Sequence, residues 1–423
     1  MAICQQYGKP DIFLTFTCNP TWNEITRELS PSQTPSDRPD IVGKVFKVKL
    51  KNMLHDLLHQ NILGKVIAYT WVIEFQKRGL PHCHMLLVLD KLDKPRESEM
   101  IDKIVQAEIP SQVDYPRLFR AVGSFMIHGP CGDLNRNSPC MEVVEGGDEK
   151  HCSKDFPKPF VNETSANVDG YPKYRRRENG VTMKVGRYEL DNQWVVPYNP
   201  YLLLKYNAHI NIEICLTVKS FKYLYKYIFK GHDCARIRYQ NAQEVLDWDE
   251  ITQYIDSRYV SAPKAFWRLS TYDMQDKSHT IVRLAVHLPD EQQIYFHEGA
   301  EQEATDAAQE KNTTLTTWFK LNQQDPTARA ILYHDIPICY LFDQSTKQWK
   351  LRSWQQSKPS FGRMYTVSPS DQERYFLRLL LLHTPGAKGF DDLRQANGEM
   401  CQTFHDAAWK RGLLKSDEEW PST

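Results

Sequence analysis

The chain has 423 residues, enough for two or three domains with sizeable cores, and its composition is that of a soluble globular protein rich in aromatic residues. Its 53 Lys/Arg balance 53 Asp/Glu, so any affinity for a charged partner must come from local patches rather than overall charge. No charged-then-apolar leader opens it and no apolar run nears membrane-spanning length, which points to an intracellular protein. Ten cysteines in so long a chain do not make a disulfide framework.

Charge is unevenly spread. Tyr171 to Lys230 holds eleven Lys/Arg against four Asp/Glu, whereas Asn241 to Glu310 holds five against fourteen. This sets a basic binding surface beside an acidic module. There is no internal repeat and no long low-complexity segment.

In chain order, Asp11 to Thr17 reads as a strand stopped by Asn19-Pro20. So abrupt an opening suggests that Met1 is an internal residue of a longer protein. The Pro-rich stretch Ser30 to Pro39 is a loop feeding an amphipathic helix, whose apolar residues are Val42, Val45, Phe46, Leu50, Met53, Leu54, Leu57 and Leu58. Two apolar runs then flank Lys77-Arg78-Gly79-Leu80-Pro81, which predicts a β-hairpin from Trp71 to Leu89. Alternation sets His82 and His84 on one face, and Glu74 and Gln76 on one face of the incoming strand. A register pairing Glu74 with either histidine gathers one carboxylate and two imidazoles, three ligands for a divalent metal with room for a substrate oxygen. Two histidines near a turn are often merely solvated, but a Glu and a Gln facing outward from an apolar strand favour the metal.

Helical segments follow near Met100–Val105 and Pro116–Met126. The chain then turns irregular through about residue 160, with His128, Cys131, Cys140 and Cys152 in a Gly/Pro-rich insertion. Three thiols and an imidazole suit a structural zinc, although the spacing matches no standard finger; unpaired cysteines in a loop are the plainer reading. Lys173-Tyr174-Arg175-Arg176-Arg177 reads as a solvated charge run or, more sharply, as phosphate contacts from Arg175, Arg176 and Arg177. His209 to Cys215 alternates polar His209, Asn211 and Glu213 with three isoleucines, as a half-buried strand does. The stretch Phe221 to Lys230, closed by Gly231, reads as a helix. Its apolar stripe is Phe221, Leu224, Tyr225 and Ile228, which leaves Tyr223, Lys226, Tyr227 and Lys230 on the opposite side. Helical tyrosines usually pack, but a pair interleaved with lysines is suited to attack on a metal-neutralised phosphate.

These residues together resemble the Rep-type HUH endonucleases, and most specifically the Rep domain of Helitron transposases. Phe13-Leu14-Thr15-Phe16 is similar to the first Rep motif, associated with single-stranded DNA recognition. Glu74 with Gly79-Leu80-Pro81-His82-Cys83-His84 is similar to the metal motif, and Tyr223 to Tyr227 to the two-tyrosine motif that Helitrons use. Trp194 to Pro200 and Lys205 to His209 are also Helitron-like. The resemblance implies an α+β fold: a central, mainly antiparallel sheet with packed helices (the ferredoxin-like HUH core) over residues 1–235, and a mixed α/β accessory module over 236–423. It implies Glu74, His82 and His84 as ligands of Mg²⁺ or Mn²⁺, Tyr223 and Tyr227 as nucleophiles, and Thr15, Lys226 and Lys230 at the DNA. It implies single-stranded transposon ends as partner, a nuclear location, and nicking with strand transfer through a 5′-phosphotyrosine. Helitron transposases continue into a superfamily 1 helicase, but no phosphate-loop motif occurs here. A fragment or decayed copy is therefore the expectation, and an inactive single-stranded DNA-binding remnant the alternative function.

The second half reads as helices over Glu244–Tyr259 and Pro263–Leu269 and a strand over His279–His287. Further segments cover Thr314–Leu321 and Ala328–Phe342. A late helix is expected to be capped by a Ser370–Glu373 box and stopped by Thr384-Pro385-Gly386.

Overall fold

The alternating apolar residues at the start of the chain form β1 (Ile12–Thr17), the helix after the Pro-rich loop is α1 (Pro39–Leu58), and the hairpin is β2 (Val66–Phe75) with β3 (Pro81–Leu89). These elements belong to a computed structural model that describes residues 2–75, 79–143, 150–165, 171–216, 234–235, 240–241, 244–245, 257–258, 261–291, 312–353 and 358–414. The chain divides into two compact units, Ile3–Lys277 and Ser278–Thr423.

In the first unit, β4 (Ile210–Ile214) and β5 (Gln275–Lys277) complete a five-stranded sheet of order β5-β2-β3-β1-β4. Every neighbouring pair is antiparallel. One face is apolar: Ile12, Leu14 and Phe16 of β1, Ile73 and Phe75 of β2, Cys83, Met85 and Leu87 of β3, and Ile210, Ile212 and Ile214 of β4 enter one core. Onto it α1 lays Val42, Phe46, Leu50, Met53 and Leu57, each at most 3% exposed and spaced three or four residues apart, as one helix face requires. Each such side chain contributes about 1.5–3 kcal/mol of burial, enough to fix this helix on this face.

The division expected after residue 235 falls inside the first unit. The helix α4 (Ala262–Leu269) delivers Trp267, 1% exposed, to the same core, where it packs against Phe46 and Phe75. The short strand β5 then pairs with Thr70–Val72. Its sequence, Gln-Asp-Lys, carries no apolar alternation because it lies at a sheet edge, where polar residues discourage further pairing.

Two further helices, α2 (Pro116–Phe125) and α3 (Pro200–Tyr206), share a separate core with Met183, Val195 and Tyr198. The Asn199 carboxamide caps α3 by accepting from the Leu202 N–H, and Asn207, at φ 45°, ends the helix in the left-handed conformation. Just beyond, the chain enters β4.

The second unit has its own core around Trp318, Tyr333, Leu377 and Leu380. The strand β6 (Thr280–Leu284) runs parallel to β9 (Ser360–Met364), and β7 (Tyr340–Asp343) pairs with β8 (Gln348–Leu351) as a hairpin. Its helices include α5 (Thr314–Gln324), α6 (Gln372–His383) and α7 (Phe404–Lys410). This agrees with a mixed α and β reading, but two local expectations need correction. The Ser370–Glu373 capping box does not form: α6 starts after Asp371, with no side-chain cap. The Glu373 carboxylate instead accepts from the Phe404 and His405 N–H groups, at 2.9 and 3.4 Å, and so caps α7. The helix expected over Glu244–Tyr259 is not formed at its described ends, because Glu244–Val245 and Ser257–Arg258 commit their backbones to strand pairs with Gln240–Asn241 and Cys234–Ala235. Among the described residues, no helix is long and apolar enough to cross a membrane.

Candidate metal centre

With one sheet face given to the core, the period of two leaves Thr15 and Thr17 of β1, Glu74 of β2, His82 and His84 of β3, and Asn211 and Glu213 of β4 on the other. The register brings the three proposed ligands together. Glu74 stands opposite His82 across β2 and β3, and Thr17 and Thr15 stand opposite His82 and His84 across β1 and β3. Glu74 Oε2 lies 3.2 Å from His84 Nε2.

Each imidazole is held from behind. Thr17 Oγ1 is 2.8 Å from His82 Nδ1, and Thr15 Oγ1 is 3.1 Å from His84 Nδ1. A threonine hydroxyl can accept from Nδ1–H, and in that tautomer the Nε2 lone pair is the one open to a metal. Phe13 stacks on His84 at 5.8 Å with an 11° interplanar angle, which sets the ring plane. Burial, then the neighbouring His84 and His209, push His82 down to about 4 against the opposing pull of Glu74, so the ring is neutral near physiological pH and available as a ligand. One carboxylate and two imidazoles form a mixed donor set suited to a divalent ion with open positions. Thr15, expected at the DNA, is placed beside His84. Thr17 was not singled out by the sequence reading, although its two-residue spacing from Thr15 mirrors that of His82 and His84.

On β4 the polar face is enclosed differently. The Tyr174 hydroxyl donates to Glu213 Oε2 at 2.9 Å and accepts from the Ile214 N–H at 2.8 Å. Burial raises Glu213 to about 7, against the lowering effect of that hydroxyl and of Arg176.

The basic run is largely committed to protein partners. Arg176 is 4% exposed, and its Nη1 donates to the carbonyls of Asn192 and Val195 at 2.7 Å and of Ala107 at 3.3 Å. A phosphate cannot reach it there, so the expected DNA contact at Arg176 gives way to a bracing role. Arg177 makes a two-pronged pair with Glu108, and Arg175 lies 3.2 Å from Asp102 and 3.5 Å from Glu108. Tyr223, Lys226, Tyr227 and Lys230 lie outside the described residues.

A second constellation has its ligand atoms closer together. Among the described residues, His128, Cys131, Cys140 and Cys152 are the one group of three or more His, Cys, Asp or Glu whose ligand atoms all lie within 4.8 Å of one another. Glu74, His82 and His84 are the looser set.

An antiparallel sheet covered by helices on one face and carrying a Glu–His–His set on the other defines an α+β protein with a candidate metal centre. Residues 1–87 match the family model of the Helitron helicase-like domain at the N-terminus. That stretch contains β1, α1, β2 and nearly all of β3, and with them Thr15, Glu74, His82 and His84. No curated protein matches the chain.

Proposed function

We propose that the chain is a metal-dependent single-stranded DNA endonuclease and strand transferase of a Helitron-type, rolling-circle transposon. The observation that carries this reading is the facing of Glu74 and His82 across β2 and β3, with Thr17 and Thr15 on the far nitrogens of His82 and His84. Glu74, His82 and His84 would hold Mg²⁺ or Mn²⁺, and the bound ion would neutralise charge on a scissile phosphate. The hydroxyl oxygen of Tyr223 or Tyr227 then attacks phosphorus, losing its proton. The new O–P bond replaces the bond to the 3′ oxygen, which leaves and takes up a proton. The products are a 5′-phosphotyrosine and a free 3′-OH. The second tyrosine permits another cleavage before the first end is released, and Lys226 and Lys230 contact nearby phosphates. Single-stranded substrate fits, because the bases of a duplex would have to separate before one strand could lie along a sheet face. Such an enzyme acts on transposon ends in the nucleus.

The test is a gel assay of end-labelled single-stranded oligonucleotides with Mn²⁺, using the wild type, Tyr223→Phe, Tyr227→Phe and the double variant. A protein–DNA adduct that disappears in the double variant supports the reading. Retention of DNA without adduct or cleavage, across sequences and metals, would favour a catalytically inactive single-stranded DNA-binding remnant.

A further inference from the structure

Four side chains from separate turns of the insertion converge on one point. His128 follows α2; Cys131 precedes a turn in which Gly132 adopts φ 62°; Cys140 directly precedes the strand Met141–Val143; Cys152 ends the partner strand Lys150–Cys152. Cys131 and Cys152 are 1% and 6% exposed. The thiols are not joined as disulfides, and three sulfurs in one cluster would in any case leave one unpaired.

Their geometry suits a tetrahedral ion. Zinc bonded to sulfur at about 2.3 Å and nitrogen at about 2.05 Å separates two sulfurs by about 3.8 Å and a sulfur from a nitrogen by about 3.6 Å. Cys152 Sγ lies 3.5 Å from His128 Nε2, and all four ligand atoms fall within 4.8 Å of one another. The imidazole is held in orientation, stacked on Phe156 at 4.2 Å and on Trp194 at 6.4 Å, with interplanar angles of 11° in both cases. The Lys154 N–H points at Cys152 Sγ at 3.4 Å, a contact that steadies sulfur carrying negative charge.

We propose that His128, Cys131, Cys140 and Cys152 bind one Zn²⁺ as a closed structural site. Soft thiolates select zinc over Mg²⁺ or Mn²⁺, so this site and the Glu74 centre take different metals. Four protein ligands leave no open position, so the zinc performs no chemistry on substrate. Its task is to brace the insertion. Ile127 bridges to Val195, the His128 N–H donates to Trp194 O, and the Val196 N–H to Met126 O, so the site fixes the segment from which Arg176 takes its carbonyls. The proposal does not depend on nuclease activity.

The experiment measures metal content of the full chain purified under reducing conditions without a metal-affinity tag. One zinc per chain is expected in the wild type, in the His82→Ala/His84→Ala double variant and in Cys339→Ser, and none in Cys140→Ser. Cobalt titration of metal-stripped wild type covers misfolding of the cysteine variant, and intense tetrahedral ligand-field bands with thiolate-to-cobalt charge transfer are expected. A folded wild-type chain that contains no zinc and gives no such spectrum would overturn the proposal. So would zinc that departs with His82 and His84 rather than with Cys140.

Discussion

Replacing Thr17 by Val removes one oxygen while keeping the shape of the side chain and its preference for a strand. In the wild type that oxygen lies 2.8 Å from Nδ1 of His82, a residue 6% exposed. Without it, buried Nδ1–H has no acceptor from this strand, and the ring gains by carrying its proton on Nε2 instead. The lone pair that would face a metal is then occupied. Loss of such a supporting hydrogen bond costs about 10- to 100-fold in metal affinity, equivalent to about 1.4–2.7 kcal/mol. Thr15→Val should act in the same direction on His84 and more weakly, its contact being 3.1 Å. Calorimetric titration with Mn²⁺ near neutral pH, on variants shown by circular dichroism to be folded, measures the effect directly. If Thr17→Val bound Mn²⁺ as the wild type does while His82→Ala did not, the hydroxyl would have no part in presenting the ligand, and the reasoning would fail.

Glu213 is raised to about 7 in the folded chain, above the ordinary carboxylate value of about 4.3. Between these values the unfolded chain releases a proton that the folded chain keeps, so its contribution to stability falls as pH rises through that window. Because strand β4 leaves this residue partly accessible, about 1–2 kcal/mol of the effect should appear; urea melts across pH should show Glu213→Gln flatter than wild type. Arg176→Lys replaces a flat guanidinium that reaches three carbonyls by a single ammonium. It should cost about 2–4 kcal/mol in denaturation while leaving DNA retention by the folded fraction unchanged; weaker DNA binding at unchanged stability would return this residue to the DNA surface. Glu373→Ala should cost about 1 kcal/mol through loss of its contacts to the Phe404 and His405 N–H groups, with Thr403 still capping α7, and Ser370→Ala almost nothing. Thermal melts showing the reverse order would restore the capping box.

How far the sequence was legible depended on the range of the interaction. Residues that report on their own neighbours were read well: α1 from its three-and-four spacing, β1 and β4 from alternation, and the hairpin from apolar runs around Gly79, which has φ 81°. Because hairpin register is local, the sequence narrowed the partner of Glu74 to His82 or His84, and the structure pairs it with His82. What escaped depends on distant partners. Glu373 looked like a cap for its own helix and serves another some thirty residues on. Arg176 looked like its exposed neighbours, and only the carbonyls of Ala107, Asn192 and Val195 show why it is buried. Strand β5 carries no pattern, because what defines it is the open edge of β2.

That last pairing has a practical side. The strand closing one edge of the sheet arrives about two hundred residues after its partner, and Trp267, which fills the core against Phe46, arrives with it. During synthesis the sheet must therefore wait, with Thr70 to Val72 presenting unpaired backbone to any extended chain nearby. The same holds for a truncated gene product. A core cut at residue 235 would keep all the proposed metal ligands yet leave an adhesive edge and a tryptophan-sized void, whereas one extended past Lys277 would have neither.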